Sequence, residues 1–459
     1  DRAFPLCATS REGYLAVMLR HILIVSGLIA AAVIGWWIWA SQPDQAKLDV
    51  AAVAGVKPRI TAPRPQMIPT VKIADPIGWQ GNATPTPAPG LKVKAFATGL
   101  DHPRWLYRLP NGDVLVAETN SPPRSEGFSI TDWVMSFLMA KAGAGVPSAN
   151  RITLLRDADG DGVAELKTPL ITGLNSPLGM VLVGDRLYIA NTDALVRVPF
   201  TPGQTRITAT PEVVVRYPGG GHHWARNVVA NADGSRLYVA VGSATNIADK
   251  GLDKEVNRAC ILEVDPVAKR FRVFASGLRN PQGLAFEPGS GRLWTAVNER
   301  DMLGSDLAPD YLTSVGLGDF FGWPYSYWGG FADERVSPSR PDLYEYAKRP
   351  DYALGPHTAS LGLAFAGDAR LGDRFAHGAF IGQHGSWNRV PVSGYKVIYV
   401  PFNVQGYPEK AAKPVDVLSG FLDAKGRAQG RPVGVITDRT GALLVADDVG
   451  NRVWRVAAM

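Results

Sequence analysis

Residues 277–299 read GLRNPQGLAFEPGSGRLWTAVNE, an apolar run, a Gly-rich turn, and a second apolar run ending in small residues. Two short alternating runs joined by a Gly turn are a β-hairpin. The pattern returns as GLDHPRWLYRLPNGDVLVAET (99–119), GLNSPLGMVLVGDRLYIANT (173–192) and HHWARNVVANADGSRLYVAVGS (222–243). Two further copies are SLGLAFAGDARLGDRFAHGAFIGQHG (360–385) and GRPVGVITDRTGALLVADD (430–448). Six copies over residues 91–459 leave about 60 residues per unit, enough for a four-stranded blade and its loops, and radial repetition of blades is a β-propeller. The fold expected is therefore all-β, a six-bladed β-propeller. The composition agrees: 49 Gly and 35 Pro among 459 residues are a surplus of turn formers.

The net charge of +6 is mild, and no run of Lys and Arg exceeds two residues, which argues against a nucleic-acid partner. Cys7 and Cys260 are the only cysteines, too few for a disulfide framework or a cysteine metal site. Ile22–Ala40 is a nineteen-residue stretch without a charge, preceded by Arg20 and His21 and ending in Trp36, Trp37 and Trp39. That length crosses a bilayer as a helix, and the flanking charges put residues 1–21 in the cytoplasm and the rest outside. A cleaved signal peptide starting at Met18 is the alternative, although Trp-Trp-Ile-Trp is a poor lead-in to a cleavage site. On the first reading the propeller sits on the periplasmic side of the inner membrane on a single-pass anchor; on either it is exported. Residues 41–90 hold nine prolines and read as an extended, Pro-rich stalk.

Aligning repeats by their second strands places His223 on the slot of Arg279, where an innermost strand begins at the mouth of the channel, and Arg431 falls close to the same slot. Blade packing does not require such residues there. An acidic run, Asp157, Asp159, Asp161 and Glu165 with Gly162 at the sixth position, has the oxygen spacing of a calcium loop; Thr168 stands where the bidentate Glu belongs, so a plain Asp-Gly turn is the other reading. Ile130, Trp133, Val134, Phe137 and Leu138 share one face at helical spacing in an insertion over 121–150.

Gly-Leu-Arg-Asn-Pro-Gln-Gly (277–283) preceded by His222-His223, Asn-Glu-Arg-Asp-Met-Leu-Gly-Ser-Asp (298–306), Phe-Gly-Trp-Pro (321–324) and Gly-Gln-His-Gly-Ser-Trp-Asn-Arg (382–389) occur in the order seen in the soluble quinoprotein dehydrogenases. The chain resembles this family, which includes the glucose, aldose-sugar and sorbosone dehydrogenases, and is most similar to the sorbosone branch. The resemblance implies a six-bladed propeller that oxidises a sugar with pyrroloquinoline quinone (PQQ) and Ca²⁺ and passes electrons to a quinone or cytochrome. It places His223 as general base and Arg279 and Asn280 beside the quinone oxygen. Arg389, whose planar fork fits bidentate pairing, is the candidate clamp for a cofactor carboxylate, and Arg431 is a further candidate cofactor contact. The resemblance also implies Ca²⁺ on the backbone carbonyls of Asp301 and Met302, with Glu299 and Asp306 nearby. Leu174-Asn175 stands where the glucose dehydrogenases carry a Gln, and the segment near Phe365-Ala366 lacks their Lys; His357 and His384 are candidate replacements. A calcium-dependent propeller hydrolase or lactonase and a non-catalytic binding propeller are the competing readings, and the set Arg279, Asn280 and Arg389 separates them, since a tricarboxylate needs it.

Overall fold

The computed structural model describes residues 11–40, 42–66, 68–123, 137 and 140–459. Six antiparallel sheets, four of four strands and two of five, follow one another along the chain. The innermost strands are Pro103–Arg108, Met180–Val183, Arg226–Ala230, Pro281–Phe286, Ser360–Phe365 and Pro432–Thr437. Each lies against the innermost strand of the next blade, and the last lies against the first, so the ring is closed and six-bladed.

The sixth blade has only three strands of its own. Leu91–Thr98 supplies the fourth, pairing antiparallel with Arg452–Ala458, Arg452 opposite Thr98 and Ala458 opposite Leu91. Hydrogen bonding thus clasps the two ends of the propeller sequence together.

Second strands such as Val114–Glu118, Leu293–Val297 and Leu443–Asp447 are buried along their whole length, sandwiched between neighbouring blades. The hairpin turns are tight enough to bring blades into contact. Gly234, in the Asp-Gly turn of blade three, has φ 71°, and a Cβ there would stand 2.3 Å from Val183 of blade two.

Residues 42–90 carry little regular structure, as their prolines require, but they do not form a free stalk. Ala54–Gly55 adds an edge strand to blade four beside Tyr352–Pro356, and Thr86–Pro87 does the same beside Val415–Ser419 of blade five. Asp44 accepts a 2.8 Å bond from Arg64 and caps the backbone of Ser305, while Asp306 accepts the backbone N–H groups of Lys47 and Leu48. Composition reported the extended backbone correctly. It carried no sign that Val53, Ala54, Ala74 and Trp79 would be buried against the propeller.

The N-terminal helix, Arg11–Ala40, contains an apolar span over Gly13–Ile38 with mean hydropathy 2.2 and none of it buried. It begins earlier than the expected Ile22–Ala40, and its features fit a membrane anchor and a signal sequence equally. Of the insertion face, only Phe137 is described; Ile130, Trp133, Val134 and Leu138 lie outside the described residues, as does Cys7.

One buried carboxylate ties belt to blade. Asp447 accepts Trp79 Nε1 (2.6 Å) and Trp454 Nε1 (3.0 Å) on one oxygen, and the backbone N–H groups of Arg431 and Gly450 (2.8 Å each) on the other. Asp447→Ala strands four donors, so a loss of about 3 kcal/mol in unfolding free energy is expected in denaturant titrations, with the largest exposure change at Trp79.

Candidate active site at the channel mouth

The residues that precede an innermost strand, and those that follow a second strand, all emerge at one end of the ring. Those of every blade but the second line one cavity of about 280 Å³ at the channel mouth, just below the roughly 300–1,000 Å³ found for small-ligand pockets. His102, His223, Arg279, His357 and Arg431 come from the first set, and Asn120, Asn298, His384 and Asp448 from the second. Trp224 and Trp387 add flat apolar walls.

His223 is held in one tautomer. Its Nδ1 lies 2.9 Å from Ser243 Oγ and 3.0 Å from Ser243 O. Ser243 Oγ donates its own proton to Thr245 O at 2.6 Å, so both serine oxygens are acceptors and Nδ1 carries the hydrogen. Nε2 is left with its lone pair. Burial, then the positive charge of Arg279, pushes the His223 pKa well below its ordinary value, which keeps the ring neutral. The loop is pinned from beneath by Arg226, fully buried, which donates to the carbonyls of His223 (2.6 Å), Ala225 (3.1 Å) and Pro218 (2.8 Å). Gly242 makes the close packing possible, since a Cβ there would meet Asn280 Oδ1 at 2.5 Å and His223 Cβ at 2.6 Å.

Arg279 is buried and donates to Asn246 Oδ1 (2.9 Å), Glu299 O (2.7 Å) and Asp301 Oδ2 (2.9 Å). Burial opposes the charge on Asp301, but Arg279, His357 and Asn388 outweigh it and hold its carboxyl well below the usual carboxylate range. The opposite wall is a second cluster on Asp448: Arg104 Nη1 at 2.7 Å, His384 Nε2 at 2.8 Å and His102 Nε2 at 3.5 Å. Desolvation outweighs the attraction of Asp448 and lowers both histidines to about 4, so at neutral pH they are uncharged. Among the described residues Arg431 has no carboxylate partner and its Nε is unpartnered; it donates to Tyr395 OH (2.8 Å) and lies over that ring. Three guanidiniums face two carboxylates around the cavity, leaving it net positive among the described residues.

The structure brings His223, Arg279, Asn280, Asp301, Arg431, His357 and His384 to this cavity and leaves others out. Arg389 is not in the wall: it is buried, donating to the carbonyls of Ser305 (2.9 Å), Pro391 (2.7 Å) and Leu48 (2.9 Å), which fixes the N-terminal belt and leaves no fork for a cofactor carboxylate. Arg104 stands in the wall where that clamp was expected. His222 also lines the cavity; residues 217–225 are not a strand, so neighbouring side chains there need not alternate between faces. Glu299 is spent on Arg300 (2.9 Å) and Asp306 on the belt. The carbonyls of Asp301 and Met302 are engaged by the Arg335 guanidinium at 2.9 and 3.1 Å, so the expected calcium ligands are not open to a metal. Leu174, Asn175, Phe365 and Ala366 lie outside the cavity wall. At the other acidic run, Asp157, Asp159, Asp161 and Glu165 bring one oxygen each within 4.8 Å of one another.

His102, Arg104 and Asp448 were missed. The repeat carried the signal: His102 precedes its innermost strand as Arg431 does, and Asp448 follows its second strand as Asn298 does.

Fold and site together define a six-bladed propeller with one cation-rich cavity at its channel mouth. The chain belongs to the TrAA12-like family, whose model matches residues 85–309 and 342–458. A PQQ-dependent pyranose dehydrogenase of Coprinopsis cinerea is 24% identical over 421 residues, covering 79% of this chain and 56% of that protein, so the chain spans little more than half of that relative. An uncharacterised Borreliella burgdorferi protein is 27% identical over 301 residues, 62% of this chain and 76% of that one. Among solved structures, the PQQ domain of the Coprinopsis enzyme in its holo form superposes with a TM-score of 0.66 at 21% identity, covering 84% of this chain and all of that one. The Trichoderma reesei family AA12 calcium structure gives 0.66 at 17% identity, covering 84% of this chain and all of that one.

Replacing His384 tests the Asp448 cluster. Its folded pKa of about 4 lies below the ordinary 6.5, so the unfolded chain binds the extra proton and stability falls as pH drops from 6.5 towards 4. His384→Gln should flatten the slope of unfolding free energy against pH in that window by up to about 1.4 kcal/mol per pH unit.

Proposed function

We propose that the protein is a PQQ-dependent dehydrogenase that oxidises a sugar hydroxyl or a sugar-derived aldehyde, sorbosone-like substrates included. The observation that carries this reading is the convergence of a neutral, tautomer-fixed His223 with an excess of guanidinium charge around one cavity. PQQ is a planar tricarboxylate, and the donor set suits it. Arg431 and Arg104 each keep an Nε without a partner, Asn280 adds an amide, and Trp224 and Trp387 offer flat faces. When bound, PQQ would supply the acceptor for the hydride, and with it the two electrons, that leaves the sugar carbon.

The chain's own residues do the rest. His223 Nε2 accepts the substrate hydroxyl proton, with Nδ1–H anchored on Ser243 so that the ring cannot turn. Arg279, held rigid by Asn246, Glu299 O and Asp301, places positive charge beside that base, where negative charge builds on oxygen. Arg226 fixes the His223 loop and touches no reacting atom.

A calcium hydrolase needs carboxylates open to a metal in the cavity, whereas Asp301 and Asp448 are each tied to a guanidinium. This favours the oxidoreductase. A calcium ion is proposed for the loop of Asp157, Asp159, Asp161 and Glu165, away from the cavity. The helix over Gly13–Ile38 is proposed as a single-pass anchor with the propeller on the periplasmic side. A quinone or cytochrome then takes the electrons onward.

Two outcomes are expected. His223→Gln should lower turnover with an aldose by roughly 10²–10⁴ while the PQQ absorbance of the protein persists; near-full turnover rules out this mechanism. Because the base works unprotonated and its pKa is depressed, activity should fall on acidification only below the ordinary histidine value of about 6.5. An acid limb in kcat/KM above that value contradicts the assignment.

A further inference from the structure

The loop Glu299–Asp306 is where the resemblance led us to expect a divalent cation, yet the two carbonyls expected to hold it have no lone pair to offer. A carbonyl oxygen has two acceptor positions. Asp301 O takes Arg335 Nη1 (2.9 Å) and Asn246 Nδ2 (3.2 Å). Met302 O takes Arg335 Nη1 (3.1 Å) and the backbone N–H of Gln66 (3.2 Å). Both are full. The nearby acids each face a guanidinium, Glu299 that of Arg300 (2.9 Å), Asp301 that of Arg279 (2.9 Å) and Asp306 that of Arg64 (3.3 Å).

Arg335 is not a surface side chain that swung inward. Asp333, itself buried, grips it in a bidentate fork, Nε to Oδ1 at 2.8 Å and Nη2 to Oδ2 at 2.7 Å. Asp333 also takes Arg300 at 3.1 Å, and Arg300 is completely buried, donating to Pro324 O (2.7 Å) and Ser326 O (2.6 Å). The chain Glu299–Arg300–Asp333–Arg335 therefore ends with a guanidinium pressed on the two carbonyls. Calcium wants six to eight oxygens at about 2.3–2.6 Å. Seating it here means breaking two charge-assisted hydrogen bonds and placing a dication against a cation anchored by a buried carboxylate.

We propose that Arg335 takes the place of a divalent cation at this loop, so that the cation beside the cavity is part of the chain and PQQ binds without calcium there. Only the cofactor arm of the test depends on the function proposed above.

The test uses the full chain in detergent, stripped with a chelator. Calcium alone is titrated calorimetrically into the protein and into the double variant Asp159→Asn, Asp161→Asn. The inference expects no calcium site in that variant, and saturable binding there overturns it. PQQ affinity is then read by absorbance in chelator and in added calcium. It should agree within about twofold, and a gain of roughly tenfold with calcium overturns the inference. Arg335→Gln, with an unchanged thermal melt, should weaken PQQ by roughly tenfold, and unchanged affinity counts against it. If that variant does not fold, the calcium titration decides alone. If PQQ binds under neither condition, the dehydrogenase reading fails while the calcium titration still decides this one.

Discussion

The pairing of Leu91–Thr98 with Arg452–Ala458 is the constraint on which the rest depends. Without that strand the sixth blade has an open edge and the innermost strands have no reason to meet in a ring. Once the ring closes, every innermost strand starts, and every second strand ends, at one mouth. Residues from five of the six repeats, from His102 to Asp448, are then forced into one small volume. The concentration of histidine and arginine there follows from topology.

That concentration has an electrostatic cost, and the molecule answers it locally. Each carboxylate in the wall is matched to a guanidinium, half-buried Asp301 to Arg279 and buried Asp448 to Arg104. Isolated buried charge would cost several kcal/mol. His102, His223 and His384 escape the problem by staying neutral. Among the described residues Arg431, backed by the Tyr395 ring and hydroxyl, is left without a carboxylate, which is what an anionic ligand would find.

The belt over residues 42–90 links the helix to the site's frame. It is bonded to the Asp301–Asp306 loop through Arg64, Gln66 and Asp44, and Lys72 N–H donates to the carbonyl of Trp387, a wall residue. A segment without a strand pattern can be well placed when its backbone groups find partners on a folded neighbour.

The sequence by itself determined the number of blades, the hairpins, the apolar helix and one of the two rings of residues at the mouth. All are local or periodic properties, set by alternation of apolar residues and by Gly turns. His223, Arg279 and Arg431 were legible because they share a slot in a repeat. What only the tertiary structure decided was which side chain reaches which partner. Arg389, read as a carboxylate clamp, is turned into the belt; Arg104 and Asp448 face the cavity instead; and Arg335, more than thirty residues from Asp301, occupies the carbonyls expected to hold a metal. The physical reason is that hydrogen-bond capacity is a property of the assembled fold. A carbonyl or a guanidinium is identical in every sequence, and what it can bind is fixed by the partners that folding has already brought to it.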